Sequence, residues 1–315
     1  MRHIYQFFRL WAGATRATFA SASMVPVVLG AAIASHHGSF SPGLFFMSAA
    51  GVLALHLGAN LVNDYYDFKS GADVIRTNRA PFYGGSTILV EGILSPRQVS
   101  RAYTFLFALA CAVGAYLAVV RGPGVIAFGL AGLLGGYFYT APPLHLSYIG
   151  LGETTISMCF GPLTVAGAYF VQTRAVTPES LVASIPVALL VAAIVYVNEF
   201  PDRGADGAAG KKTLVVRLPL RTAIRCYSAL VLAPFVFLGA AIALGFLPRT
   251  TALAYLALPL APCAIKHLRA AYAACQDPAT LDPSSFATPH QVAASVATIS
   301  VHLAVGLLLS LGYLL

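Results

Sequence analysis

Long apolar runs broken by short polar stretches set the pattern of this chain. Runs long enough to cross about 30 Å of hydrocarbon fall near 16–36, 42–66, 98–120, 123–141, 150–172, 178–199, 222–246, 250–272 and 291–314. In lipid, a helix satisfies every backbone polar group within its own segment, so each run reads as a transmembrane helix. The pattern predicts an all-α, polytopic membrane bundle of about nine transmembrane helices, built as a single domain over residues 1–315. Ahead of the first run, residues 1–15 carry Arg2, Arg9, Trp11 and several Phe, which predicts a helix lying in the membrane interface. A cleaved signal peptide is not expected, because the first run is long and contains Pro26.

Composition agrees with the pattern: 58% of residues are hydrophobic, 10% are charged and the mean hydropathy is +0.78. Such a chain cannot present an ordinary charged surface to water. With the N-terminus inside, the stretches 1–16, 67–101, 141–149, 200–225 and 266–290 share one side and hold about sixteen of the nineteen Lys and Arg. Arg121, Arg174 and Arg249 are left for the other face. The positive-inside rule then makes the basic side cytoplasmic, in a bacterial or archaeal plasma membrane. The net charge of +8 reads as topology bias plus attraction to anionic lipid, with no nucleic acid partner expected. The five Cys show no paired spacing, so neither a disulfide framework nor a thiolate metal site is expected.

Against this apolar background, six of eleven carboxylates fall in two clusters, each at the end of a long run. The first contains Asn60, Asn63, Asp64, Asp67 and Asp73; the second contains Asn198, Glu199, Asp202 and Asp206. Asn60, Asn63, Asp64 and Asp67 share one helix face by their spacing, and Asn198 and Asp202 repeat the four-residue step. Pro201 and Gly204 predict a kink or stop there, which would leave Asp206 on a loop. Polar stretches follow both clusters, at 67–97 and 200–221, and read as cytoplasmic cap loops.

Ionisable groups at membrane depth are costly and mark sites. Carboxylates and amides without His or Cys are hard oxygen donors, which favour Mg²⁺ over zinc or copper. Mg²⁺ shares itself with phosphate oxygens, so two facing clusters suggest a diphosphate bridging two ions. A solvated helix cap and an ion-coupled transporter remain the alternatives on these residues alone.

The two motifs resemble the signatures of the UbiA superfamily of intramembrane prenyltransferases. Asn63, Asp64, Asp67 and Asp73 match the first signature, and Asn198, Asp202 and Asp206 match the second. The spacing from Asp67 to Asp73, the Tyr139-Thr140-Ala141-Pro142-Pro143 run and Gly210 to Leu218 are similar to the menaquinone branch, which prenylates 1,4-dihydroxy-2-naphthoate. Two departures stand out: His145 and Ser147 where relatives are often basic, and Ala17 after Arg16 where relatives often have Pro.

The resemblance implies transfer of a polyprenyl group from its diphosphate to an aromatic acceptor, inside a cavity open laterally to lipid. It implies metal ligands at Asn63, Asp64, Asp67, Asp73, Asn198, Asp202 and Asp206, with Asp64, Asp67, Asp202, Asp206 and Tyr139 catalytic. Lys69, Arg79, Lys211 and Lys212, with Asn63 and Asn198, are candidates for the leaving diphosphate; Arg79 opens a Gly-rich stretch that could cover the site. Tyr65, Tyr66, Tyr139 and Tyr148 could shelter a carbocation or form an interface belt. Asn60 and His56 are candidate cavity residues. The pair His36-His37 is expected at the outer end of the first span, away from this chemistry. Prenylation of 4-hydroxybenzoate, homogentisate or a tetrapyrrole, or terpene cyclisation, are the alternatives within the superfamily. Prenyl length and oligomeric state are not fixed by the sequence.

Overall fold

The computed structural model describes residues 2–75, 87–274 and 288–315. The order is α1 (Arg2–Ala14), a short 3₁₀ turn (Ala17–Phe19), α2 (Ser21–His36), α3 (Pro42–Ser70) and α4 (Ala72–Ile75). Next come α5 (Pro96–Arg121), α6 (Gly124–Phe138), α7 (Gly152–Met158), a π-helical turn (Cys159–Leu163), α8 (Thr164–Thr173) and α9 (Pro178–Glu199). The chain closes with α10 (Arg203–Ala208), α11 (Leu214–Arg217), α12 (Leu220–Ala243), a 3₁₀ segment (Arg249–Ala257), α13 (Leu260–Ala274) and α14 (Pro289–Leu314). Eight of the nine predicted runs are helical stretches long and apolar enough to cross a membrane, counted among the described residues. The remaining run is α6, which has only 15 residues.

Local chemistry sets the helix ends. Ser95 and Gln98 form a reciprocal capping box at α5, as Thr177 and Ser180 do at α9, each with Pro at the first helical position. Gly71, at φ 83, ends α3 in the left-handed region, where a side chain would be strained. Pro162 lies inside the π-helical turn that interrupts the fifth predicted span. There Gly161 abuts α9 so closely that a Cβ would stand 2.3 Å from the Cβ of Ala188.

Packing divides the bundle into two unequal parts. The main core joins α2, α8, α9, α12, α13 and α14, with Leu29, Leu190, Tyr196, Tyr227, Leu268 and Leu309 almost fully enclosed. Helix α9 is the most enclosed span, and this explains why it is apolar all round. By contrast, α5 exposes Phe105, Leu109, Tyr116 and Val119, and α6 exposes Ile126, Leu130 and Leu134, as lipid-facing helices do. Helix α1 packs Leu10, Trp11 and Ala14 against Leu61, Leu94 and Val99 while leaving Tyr5, Phe7 and Phe8 exposed. Those exposed aromatics suit the interfacial placement expected from its sequence.

At the end of the bundle away from the acids, His37 joins Tyr169 and Glu179, at 2.7 Å to the hydroxyl and 3.0 Å to the carboxylate. His36 Nδ1 lies 3.0 Å from the carbonyl of Tyr313. These contacts tie α2 to α8, α9 and α14, a structural role at the place the sequence put this pair.

Candidate active site

Helix α3 runs unbroken from Asn60 through Asp67, so its period carries Asn60, Asn63 and Asp67 onto the wall of one cavity. Helix α9 delivers Asn198 and Glu199 to the same wall. Beyond Glu199 the chain turns at Pro201, Asp202 stands at the N-cap of α10, and Asp206 lies within that short helix rather than on the expected loop. Gly210, at φ 80, then reverses the chain so that the Lys211 amide donates to the Asp206 carbonyl at 2.8 Å. That reversal brings Lys211 back over both clusters.

Asp67 is the hub. Its Oδ2 accepts from Lys211 Nζ at 2.7 Å and from Asn63 Nδ2 at 3.1 Å, and its Oδ1 accepts from the Tyr148 hydroxyl at 3.0 Å. Lys211 also lies 3.6 Å from Asp206 Oδ1, so one ammonium spans the two acidic motifs. Asn63 Nδ2 donates to Thr140 Oγ1 at 2.8 Å, tying the Tyr139–Pro143 loop to α3. Arg16 donates to Asn63 Oδ1 at 2.7 Å and pairs with Asp64. Asp64, Asp67, Asp73, Asp202, Asp206 and Lys211 are all buried.

Burial alone would lower the Lys211 pKa, but the Asp67 and Asp206 carboxylates more than offset it, and the net shift is upward. The ammonium therefore stays charged at neutral pH. Burial, with the Asp67 carboxylate adding to it, pushes the Tyr148 hydroxyl up to about 12, so it remains a donor.

Below the acids lies a cavity of about 600 Å³. Asp67, Asp202, Asp206 and Lys211 stand at its mouth, and it runs down past His56 and Phe160 to Leu117, Val125 and Val171 near the opposite end. Its walls are otherwise largely apolar and small, with Gly51, Ala59, Gly114, Gly132 and Gly136 among them. Gly129 and Leu130 of α6 line it and are also exposed, so at α6 a single helix forms its lipid-facing wall.

Several predicted residues sit in this wall. Tyr139 lines it, as do Asn60, whose Nδ2 donates to the Thr15 carbonyl at 2.9 Å, and His56, whose Nδ1 lies 2.9 Å from Ser23 Oγ. Asn198 lines it too, with Oδ1 accepting from Ser295 at 2.8 Å.

Others are placed differently. Asp64 and Asp73 do not line the cavity: Asp64 faces Arg16, and Asp73 lies on α4, which packs against α10. Tyr65 and Tyr66 belong to an aromatic cluster with Tyr103 and Tyr137, the Tyr66 and Tyr137 hydroxyls being 2.9 Å apart. They do not reach the cavity, because successive helical positions turn by about 100° from the Asp face. Lys69 is exposed, with its ammonium 4.7 Å from the Tyr65 ring centre, and is not brought to the mouth. Tyr148 reaches Asp67 rather than the cavity wall. Lys212 is exposed and contributes its backbone N–H to the Tyr148 carbonyl at 3.0 Å. Arg79 and its Gly-rich stretch lie outside the described residues.

Three contributors were given no role from sequence: Arg16, Thr140 and Thr213, the last of which lines the cavity beside Glu199 of the second cluster. Arg16 precedes the first span and Thr140 sits in the matched loop, so position alone could have flagged them. At the first of the two departures, Ser147 is buried at the cavity wall, and His145, at φ 44, holds the Thr140 carbonyl through Nδ1 at 2.7 Å.

A multi-pass helical membrane protein with an acidic mouth over an apolar cavity is the class these features define. The chain belongs to the UbiA prenyltransferase family, whose family model matches residues 23–287. It is 35% identical over 219 residues to the human UbiA prenyltransferase domain-containing protein 1, covering 68% of this chain and 62% of that one. The chain thus spans about 62% of the length of the vertebrate relatives it matches. It is 31% identical over 215 residues to the Bacillus subtilis 1,4-dihydroxy-2-naphthoate octaprenyltransferase, covering 68% of each. Among solved structures, a UbiA homologue from Aeropyrum pernix K1 superposes with a TM-score of 0.60 at 17% identity, covering 94% of this chain and 97% of that one. A homologue from Archaeoglobus fulgidus bound to GPP and Mg²⁺ gives 0.57 at 17% identity, over 94% and 98%. These likenesses support the fold.

Proposed function

We propose that this protein transfers a polyprenyl group from polyprenyl diphosphate to an aromatic acceptor, and that the acceptor is 1,4-dihydroxy-2-naphthoate, in menaquinone biosynthesis. The observation that carries the reaction class is the meeting of Asp67 with Asp202 and Asp206 at the mouth of one apolar cavity, bridged by Lys211. The Bacillus relative supports the acceptor.

The donor set fits Mg²⁺: buried carboxylates and partly buried amides from the two motifs, with no thiolate or imidazole at the mouth among the described residues. Asn63, Asp64, Asp67 and Asp73 from one motif and Asn198, Asp202 and Asp206 from the other would hold it, as two ions sharing the diphosphate. When bound, Mg²⁺ supplies charge neutralisation for the departing diphosphate. Lys211 and Arg16, already within reach of the acids, add fixed positive charge on the same side. The apolar wall below excludes water from the allylic cation, and Tyr139 offers a ring there. The acceptor ring then attacks the cation, and with 1,4-dihydroxy-2-naphthoate the attacked carbon loses carbon dioxide. A sideways opening at the thin α6 wall would let the prenyl tail lie toward lipid. The positive-inside bias supports a mouth on the cytoplasmic side.

Incubating the purified protein in nanodiscs with Mg²⁺, a labelled prenyl diphosphate and one acceptor at a time tests this by product mass. A decarboxylated prenyl naphthoquinol from 1,4-dihydroxy-2-naphthoate is expected. Product only from 4-hydroxybenzoate would move the acceptor, and diphosphate release without acceptor would replace transfer by cyclase or hydrolase chemistry. Asp67→Asn and Asp202→Asn should each lower turnover by about 10²–10³-fold while the protein still folds. Full activity in both under limiting Mg²⁺ would remove the acids from the mechanism.

A further inference from the structure

Lys211 stands where a bridging cation would stand. Its ammonium is 2.7 Å from Asp67 Oδ2 on α3 and 3.6 Å from Asp206 Oδ1 on α10, so it contacts both acidic motifs at once. All three side chains are buried at the cavity mouth, with Lys211 only 6% exposed. Asp67 is already committed on both oxygens, to Tyr148 on one and to Lys211 and Asn63 on the other. Among the described residues, no three His, Cys, Asp or Glu side chains stand close enough to wrap a metal ion by themselves.

A divalent ion arriving alone would have to take oxygens that Lys211 holds. It would leave the ammonium in a buried setting with its anionic partners occupied, which is a heavy desolvation cost. Metal arriving with a diphosphate changes the balance, because the incoming phosphate oxygens give the displaced ammonium a new anion at the same place.

Resting on the prenyl diphosphate reading above, we propose that Lys211 is an internal counterion. It fills the cation position between the two acidic motifs in the ligand-free chain and yields it only when metal and diphosphate arrive together. Metal and donor then bind with strong mutual coupling, and by linkage each raises the affinity for the other by the same factor. The side chain acts first as a lock on the acids and afterwards as a ligand for the diphosphate.

The test is a Mn²⁺ titration read by electron paramagnetic resonance on the full chain in nanodiscs, with and without farnesyl thiolodiphosphate, corrected against empty nanodiscs. Wild-type protein should bind Mn²⁺ at least about tenfold more tightly when the thiolodiphosphate is present. K211M should bind Mn²⁺ alone about tenfold more tightly than wild type, lose affinity for the thiolodiphosphate, and melt lower than wild type unless Mn²⁺ is added. K211R, which keeps the charge, should retain the coupling, and K211Q serves if K211M does not fold. Equal Mn²⁺ affinity with and without the thiolodiphosphate, or an unchanged Mn²⁺ affinity in K211M or K211Q, overturns the counterion role alone. Failure of wild type to bind the thiolodiphosphate under any metal condition overturns the prenyl diphosphate reading, and the counterion role with it.

Discussion

Asp67 shows how much of the mouth depends on single side chains. It gathers the Tyr148 hydroxyl, the Asn63 amide and the Lys211 ammonium from three separate parts of the chain. Removing the Tyr148 hydroxyl leaves Asp67 Oδ1 without that donor, and a hydrogen bond to a charged group contributes about 1.5–3 kcal/mol. Tyr148 is half-buried, which discounts this toward the lower end. Tyr148→Phe should therefore raise the KM for the prenyl diphosphate by roughly tenfold with kcat less affected; an unchanged donor KM would make Tyr148 a purely structural loop residue. At this scale the sequence was readable through helical period, except at Asp64, which was expected on the same face but turns to Arg16. Asn60, Asn63 and Asp67 lie together because their spacing demands it, and the same period turns Tyr65 and Tyr66 away, which proximity in sequence had obscured. Arg16 and Thr140 were hidden for another reason: their partners lie 47 and 77 residues away, and no local pattern encodes such contacts.

At the scale of elements, the nine apolar runs become helices within a few residues of their expected ends, because hydrocarbon thickness fixes their length more firmly than propensity does. Two runs depart from a single regular helix: that at 250–272 is a 3₁₀ segment followed by α13, and that at 150–172 is α7, a π-helical turn and α8. Pro162 lacks the N–H a regular helix needs there, and the widened turn carries Cys159, Phe160 and Leu163 to the cavity. The turn fits only because Gly161 lets α9 approach, with Ala188 occupying the space of a side chain. Gly161→Val should lower thermal stability by about 1–3 kcal/mol and disturb turnover together with it; an unchanged melting temperature would show that the turn moves freely. Likewise Pro201 and Gly204 marked the end of α9, but not that α10 would carry Asp206, since its Asp202 cap belongs to a helix too short to announce itself in sequence.

The whole molecule is asymmetric, with a dense half around α9 and α14 and a thinner wall at α5 and α6 over the cavity. Apolar runs reveal that helices span, but not which neighbours they choose, so this division was not legible from periodicity. Gly129 lines the cavity at this wall, where the proposed side opening lies, and a Cβ there meets nothing within 4 Å. Gly129→Leu should consequently be tolerated by the fold and narrow the side opening, lowering turnover with long-chain donors more than with short ones. Equal losses across chain lengths would place the tail elsewhere. The 15 residues of α6 give that wall a length of about 22 Å, at 1.5 Å per residue, well short of the roughly 30 Å of a typical hydrocarbon core. Hydrophobic mismatch of this kind draws the bilayer thinner beside the short helix. Headgroups near α6 are thereby lowered toward the mouth, and the protein should work faster in thin bilayers than in thick ones, a dependence that reconstitution into lipids of graded acyl length would measure.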